Sequence, residues 1–284
     1  MKLVTFSPGT GAGRVGDGRV GDLRVGELRA EGTVVELEAA SMVEWLAGSG
    51  RSPAGPAYDL EAVQLHAPVP EPPSVRDFYA YEGHVQVGAR LRGQEIPPAW
   101  YEAPVFYFTN PAAVFGAGQE VRRPPGCEML DFELELAAVL GSQSEIAAFT
   151  LMNDWSARDI QRREMTVGLG PAKGKDFATS LGPWLVTPDA LPFDGERLDL
   201  EATVTVNGHT VARAQARPIH FSWPQLVAQA ARNTRLRPGD VLGSGTLTGG
   251  CLLELGPLEG RWIEPGDVVT LAAPGLGELR TPVA

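Results

Sequence analysis

Acidic and apolar residues alternate strictly through Leu130-Asp131-Phe132-Glu133-Leu134-Glu135-Leu136. A period of two belongs to a strand, whose successive side chains leave on opposite faces, so the three carboxylates share one face. Neighbours on that face stand ~6–7 Å apart, and like charges so stacked repel unless open water or a cation lies over them. The spacing alone suits either a solvated strand face or a cation-binding one.

The rest of the pattern is also rich in strands. Short apolar runs over 2–6, 33–37, 105–108, 130–140, 149–153, 200–207, 241–242 and 268–272 are punctuated by glycine and proline and read as strands. Asn207-Gly208, between alternating residues, marks a hairpin. Helices are predicted over 75–90 after the cap Ser74, over 155–165, over 225–232, and from Ser41 through Leu46, where Ser41 and Glu44 have capping-box spacing. Many strands and few helices predict an α+β, β-dominated fold built on a curled sheet rather than on repeated βαβ units. A length of 284 residues suits one large domain or two modest ones. The Gly/Ser/Pro stretch over 48–58 sets off a small β-rich N-terminal unit, so residues 1–73 are read as that domain with its linker and 74–284 as the main domain. Arg14, Arg19, Arg24 and Arg29 recur every five residues, a period of neither helix nor strand, and read as an exposed hairpin region. Gly11-Ala-Gly13-Arg-Val-Gly16 satisfies the dinucleotide fingerprint, but further glycines stand where its helix should begin, so it reads as a turn.

Charge narrows the function. Lys+Arg 24 against Asp+Glu 35 gives −11 and a pI near 4.9, which argues against nucleic acid or an anionic membrane as partner. No apolar run approaches the ~20 residues that span a bilayer, and the N-terminus lacks the apolar core of a secretory signal. Cys127 and Cys251 form neither a metal-type spacing nor a disulfide framework, so a reduced, cytoplasmic protein is expected. Only Lys2, Lys173 and Lys175 are lysines among 24 basic residues; a lysine kept against that bias marks a place for an ammonium rather than a guanidinium.

A second acidic feature follows the first. Phe149-Thr-Leu-Met-Asn-Asp154 is an apolar strand ending in a carboxylate where a helix is predicted, and on that helix Asp154, Arg158 and Gln161 share a face. Asp77, Tyr81 and His84 likewise share a face of the helix predicted over 75–90.

Leu151-Met-Asn-Asp-Trp-Ser-Ala-Arg-Asp-Ile-Gln161, Gly174-Lys175-Asp-Phe-Ala-Thr179 and Leu236-Arg-Pro-Gly-Asp-Val-Leu-Gly-Ser-Gly-Thr246, in that order, resemble the fumarylacetoacetate hydrolase superfamily from about Ser74 to Val283. The resemblance implies a mixed, rolled, barrel-like β-sheet catalytic domain behind a small N-terminal domain, assembled as a homodimer. It implies that Glu133, Glu135 and Asp154, with Asp77 as a further carboxylate, hold a divalent metal. Oxygen-only ligation suits Mg²⁺ first, with Mn²⁺ or Ca²⁺ as alternatives. It implies His84 as the catalytic histidine with Glu254 as its carboxylate partner, and Lys175, Arg158 and Gln161 as catalytic residues of the same pocket. Tyr79, Arg92, Tyr107 and Thr246 fall on substrate-binding positions, and Met165 stands where the family's hydrolase has a substrate-contacting tyrosine.

The chemistry so implied is hydrolysis of a C–C bond in a fumarylacetoacetate-like or acylpyruvate-like diketo acid, with water activated by His84 and Glu254. The alternative is an isomerase, decarboxylase or hydratase acting on a 2-hydroxydienoate or 2-oxo-enoate, which uses the same ion and enolate. No Gly-x-Ser-x-Gly elbow is present, which argues against a serine acyl-enzyme.

Overall fold

The computed structural model describes residues 1–9, 23–48 and 53–284. The Gly11–Gly16 fingerprint and the first two arginines of the five-residue repeat lie outside them. From the N-terminus, β1 (Lys2–Pro8), β2 (Arg24–Leu28) and β3 (Thr33–Leu37) precede α1 (Met42–Leu46), β4 (Pro53–Asp59) and β5 (Val63–Leu65). Then come β6 (Val75–Phe78), α2 (Glu82–Leu91), α3 (Ala99–Glu102), β7 (Phe106–Thr109) and β8 (Val114–Phe115). The acidic stretches occupy β9 (Leu130–Asp131), β10 (Leu134–Leu140) and β11 (Ile146–Asp154), followed by β12 (Ser156–Ala157), α4 (Arg158–Met165) and β13 (Thr179–Val186). The chain ends through β14 (Glu201–Val206), β15 (His209–Gln215), α5 (Trp223–Ala231), β16 (Val241–Gly243), α6 (Leu252–Leu255), β17 (Val268–Ala273) and β18 (Gly277–Pro282).

Twelve strands form one mixed sheet in the order β4-β3-β2-β1-β13-β11-β10-β16-β6-β7, with β5 on β1 and β8 on β13. The fold is β-dominated around a mixed sheet, as expected, and the sheet is not a closed barrel: among the described residues β4 and β7 are opposite ends of the path and do not pair. A four-stranded antiparallel sheet, β15-β14-β17-β18, shares a core with it, where Leu136, Leu140 and Phe149 meet Val204, Leu271 and Leu279. Asn207 and Gly208 join β14 to β15 with φ of 52° and 81°, the left-handed pair that a tight hairpin turn requires. At residue 73 the sheet has no break. β1 pairs with β13 (Leu3↔Leu185), and Leu3, Val25 and Met42 share a second core with Val75, Val139 and Val241.

Four elements differ from their sequence reading. The linker read over 48–58 carries strand β4, which pairs antiparallel with β3. Residues 75–78 form a strand, and only 82–91 are helical. The Val75–Phe78 segment is buried along its length and is bound on both edges, parallel to β16 and antiparallel to β7, so sheet pairing overrides the helical spacing of its apolar residues. The strand expected over 130–140 is interrupted, because Glu133 bridges to Cys251 and its N–H donates to the Asn153 side chain at 2.9 Å. Its first part, β9, pairs instead with β12, which takes the place of the first turn of the helix predicted from 155.

Candidate active site

Strand ends bring the carboxylates together. Asp77 comes from β6, Glu133 from the position just before β10, Glu135 from the start of β10, and Asp154 from the last position of β11. One oxygen from each lies within 4.8 Å of the others. Glu135 and Asp154 are 0% exposed, Asp77 3% and Glu133 4%, which removes the solvated-face reading of the acidic stripe. Close approach is built into the sheet at Gly243, opposite Asp77 in the β16–β6 pairing, where a Cβ would stand 2.5 Å from Asp77 Oδ1.

Buried carboxylates without compensation are costly. Burial, followed by the charge of Asp154, pushes Asp77 well above the usual carboxylate range; burial and Asp77 do the same to Glu135. Asp154 is raised by burial, with Lys175 opposing. Glu133 goes the other way: burial would raise it, but Arg158 and Lys175 outweigh burial and hold it low. Asp77 Oδ1 and Asp154 Oδ1 are buried without a hydrogen-bond partner. Four convergent carboxylates, two with orphaned oxygens and, among the described residues, none grouped with a nitrogen or sulfur ligand, fit a hard divalent cation.

The two cations are committed to this cluster. Lys175 Nζ bridges Glu133 and Asp154. Arg158 lies 2.7 Å from Glu133 and from Asp131, and its Nε donates to Asp131 at 2.8 Å. Tyr107 donates to Asp154 Oδ2 at 2.5 Å, and burial with the nearby carboxylates raises its phenol well above the usual range. Gly245 N–H donates to Glu135 at 3.1 Å, and the Thr246 hydroxyl stands 3.5 Å from its other oxygen.

His84, in the first turn of α2, meets Glu254 from α6: Nδ1 is 2.7 Å from Glu254 Oε1, and Nε2 is 3.9 Å from Glu133 Oε1. The other Glu254 oxygen accepts from Gly249 N–H at 2.9 Å. A neutral imidazole that donates from Nδ1 to Glu254 presents its lone pair at Nε2, the form a base needs. The Tyr79 ring stands edge-on to His84 at 5.4 Å.

Of the thirteen residues expected at the site, all but Asp154 and Glu254 line one cavity of about 1150 Å³, and those two hold lining residues from behind. Tyr79, Arg92, Gln161 and Thr246 lie on its wall, and Gln161 accepts from Arg158 at 3.3 Å. Met165 is on the same wall, one face of α4 with Arg158, Gln161 and Arg162. Asp131, the third carboxylate of the alternating stretch, is outside the metal set that the resemblance implies. It is 0% exposed and accepts from Arg158 and from the N–H groups of Leu252 and Leu253 at 2.8 and 2.9 Å, so it ties the arginine to the segment that carries Glu254. The period-two pattern places Asp131 beside the ligands but does not tell a cation ligand from an arginine anchor. Cys251, which had no signal in spacing, packs beside the His84–Glu254 pair.

Comparison with known proteins gives one pattern. Residues 74–284 match the family model described as fumarylacetoacetate (FAA) hydrolase C-terminal. A fumarylacetoacetase from Bos taurus is 33% identical over 253 residues, covering 67% of this chain and 60% of its own length. One from Oryza sativa is 31% identical over 274 residues, covering 71% and 64%. The chain thus spans about three fifths of the length of these relatives. Among solved structures, a 5-carboxymethyl-2-hydroxymuconate delta-isomerase from Mycobacterium smegmatis is 25% identical with a TM-score of 0.74, covering 100% of this chain and 99% of that one. A fumarylacetoacetate hydrolase from Exiguobacterium antarcticum, 23% identical with a TM-score of 0.76 and coverage of 100% and 99%, shares the fold. With the model match running through every strand and loop that builds the carboxylate cluster and the His84–Glu254 pair, the chain belongs to the fumarylacetoacetate hydrolase family.

Proposed function

We propose that this protein is a divalent-metal-dependent hydrolase that cleaves a C–C bond in a fumarylacetoacetate-like or acylpyruvate-like diketo acid. The observation that carries this reading is the 2.7 Å contact between His84 Nδ1 and Glu254, which leaves Nε2 free to act as a base beside the carboxylate cluster. An enol isomerisation needs a proton moved but no activated water, so a buried, carboxylate-held histidine favours hydrolysis.

Asp77, Glu133, Glu135 and Asp154 would hold the cation, Mg²⁺ first by its preference for oxygen ligands, with Mn²⁺ or Ca²⁺ as alternatives. When bound, such an ion supplies Lewis-acid polarisation of the keto oxygens and stabilises an enolate leaving group. His84 Nε2 takes a proton from water, and Glu254 stabilises the imidazolium that results. Arg158, Gln161 and Lys175 supply donors on the side where negative charge develops or the carbanion is protonated. Tyr79, Arg92, Tyr107 and Thr246 orient the acid in the cavity.

The second reading, an isomerase, decarboxylase or hydratase on 2-hydroxydienoates or 2-oxo-enoates, is favoured by the likeness to the mycobacterial isomerase. Ultraviolet-monitored turnover of fumarylacetoacetate, acylpyruvates and 2-hydroxydienoates, with Mg²⁺ and then with chelator, separates the two. Metal-dependent loss of the diketone chromophore with release of two acids supports hydrolysis; turnover of the dienoates alone contradicts it. A homodimer and a cytoplasmic location belong to the same proposal, and light scattering of the purified protein tests the first.

A further inference from the structure

A second cluster of different chemistry stands next to the carboxylates. His84 Nδ1, Cys251 Sγ and a Glu254 oxygen lie within 4.8 Å of one another. Sγ is 3.6 Å from Glu254 Oε1 and 3.9 Å from His84 Nδ1, and Nδ1 is 2.7 Å from Oε1. Around a tetrahedral zinc ion with ordinary bond lengths such ligand pairs stand roughly 3.3–3.6 Å apart. The sulfur is therefore near ligand distance, and the His84–Glu254 contact has to open by about 0.6 Å. One nitrogen, one thiolate and one carboxylate form a borderline-soft set, unlike the all-oxygen cluster beside it. A Cys251 thiolate and a Glu254 carboxylate neutralise a divalent ion while His84 stays neutral, so the loaded site carries no net charge into a buried place. Cys251 is buried and free of any disulfide. His84, Leu252 and Leu253 line the cavity, which gives an ion its path and supplies water as the fourth ligand.

We propose that His84, Cys251 and Glu254 form an inhibitory site for zinc or a similarly soft divalent ion, separate from the carboxylate site. Binding releases one proton, from the Cys251 thiol, shifts the His84 proton from Nδ1 to Nε2, and breaks the hydrogen bond that holds the imidazole. The binding rests on geometry; the inhibition rests on the role proposed above for His84 and Glu254.

The test uses cobalt(II) as probe on the 284-residue chain saturated with Mg²⁺. A thiolate-to-cobalt charge-transfer band in the near ultraviolet is expected to saturate at one ion per chain, to disappear when zinc displaces cobalt, to persist in Cys127→Ser and to vanish in Cys251→Ser. Near-ultraviolet circular dichroism checks that each variant keeps its fold, and Cys251→Ala serves if serine disturbs it. No band in the wild type, or a band that survives loss of Cys251, overturns the site. Zinc is then added to Mg²⁺-saturated protein turning over a diketo acid, where a loss of at least about tenfold is expected in the wild type and a much smaller one in Cys251→Ser, each against its own zinc-free rate. A band with zinc-insensitive turnover overturns the inhibition. A band in a protein that turns over no diketo acid overturns the hydrolase reading and leaves the metal site standing.

Discussion

His84 meets a different neighbour at each nitrogen, Glu254 at Nδ1 and Glu133 at Nε2, and that division separates two measurable properties. His84→Ala is expected to lower hydrolysis by about 10²–10⁴-fold, the usual contribution of a general base, with Mg²⁺ affinity by calorimetry nearly intact. Glu135→Ala is expected to abolish Mg²⁺ binding, because it removes one of four converging carboxylates; unchanged affinity contradicts the ligand assignment. Burial and mutual repulsion raise Asp77, Glu135 and Asp154, so each binds its proton more tightly in the folded chain than in the unfolded one. Through these three groups the metal-free cluster therefore contributes a loss of stability as pH rises from the unfolded value of ~4 through the raised folded values, while Glu133, held low by Arg158 and Lys175, acts in the opposite sense. A bound divalent cation removes that penalty. The gain in thermal midpoint on adding Mg²⁺ is expected to be larger at about pH 8 than at about pH 6, and an equal gain at both contradicts it. At this scale the residue types were legible and their partners were not. Glu254 is 170 positions from His84, and only the order of the family motifs, not any spacing, brought the two together.

At the scale of elements, Asp77 shows how a correct residue can sit on a misread element. Its spacing to Tyr81 and His84 suits a helix, yet the pairing of β6 with β16 and β7 makes Val75–Phe78 a strand. The strand end then delivers Asp77 to the carboxylates while α2 carries His84 to Glu254. Partners far apart in sequence, Val241–Gly243 and Phe106–Thr109, decide the matter, and a local window does not contain them. Gly243 is the checkable consequence. A Cβ there would stand 2.5 Å from Asp77 Oδ1 and 2.8 Å from Met152 Cε, so something must shift. Gly243→Ala is expected to destabilise the fold by about 1–3 kcal/mol, the range for overpacking a buried site. It is also expected to weaken Mg²⁺ binding by about tenfold or more, a loss of at least ~1.4 kcal/mol. Thermal unfolding and calorimetry on one sample check both. The hairpin at Asn207-Gly208 was legible because its turn chemistry is local.

Across the whole molecule, the N-terminal strands belong to the sheet that carries the site. β1 covers the edge of β13, and β13 in turn pairs with β11, which ends in Asp154. Leu3, Val4 and Phe6 are fully buried. A chain of residues 74–284 alone is expected to aggregate or to unfold at a lower temperature than the full chain, since it exposes the β13 edge and the cores beside it; equal thermal midpoints contradict this. The net charge of −11 describes the exterior. Inside, five buried carboxylates, Asp77, Asp131, Glu133, Glu135 and Asp154, face the two cations Lys175 and Arg158, an imbalance that a divalent ion reduces. Hydrolysis by a water that His84 activates is most directly tested by turnover of an acylpyruvate in heavy-oxygen water with Mg²⁺ present. One labelled oxygen in the newly formed carboxylate of the released acid is the expected result, and consumption of the diketo acid without label would contradict it.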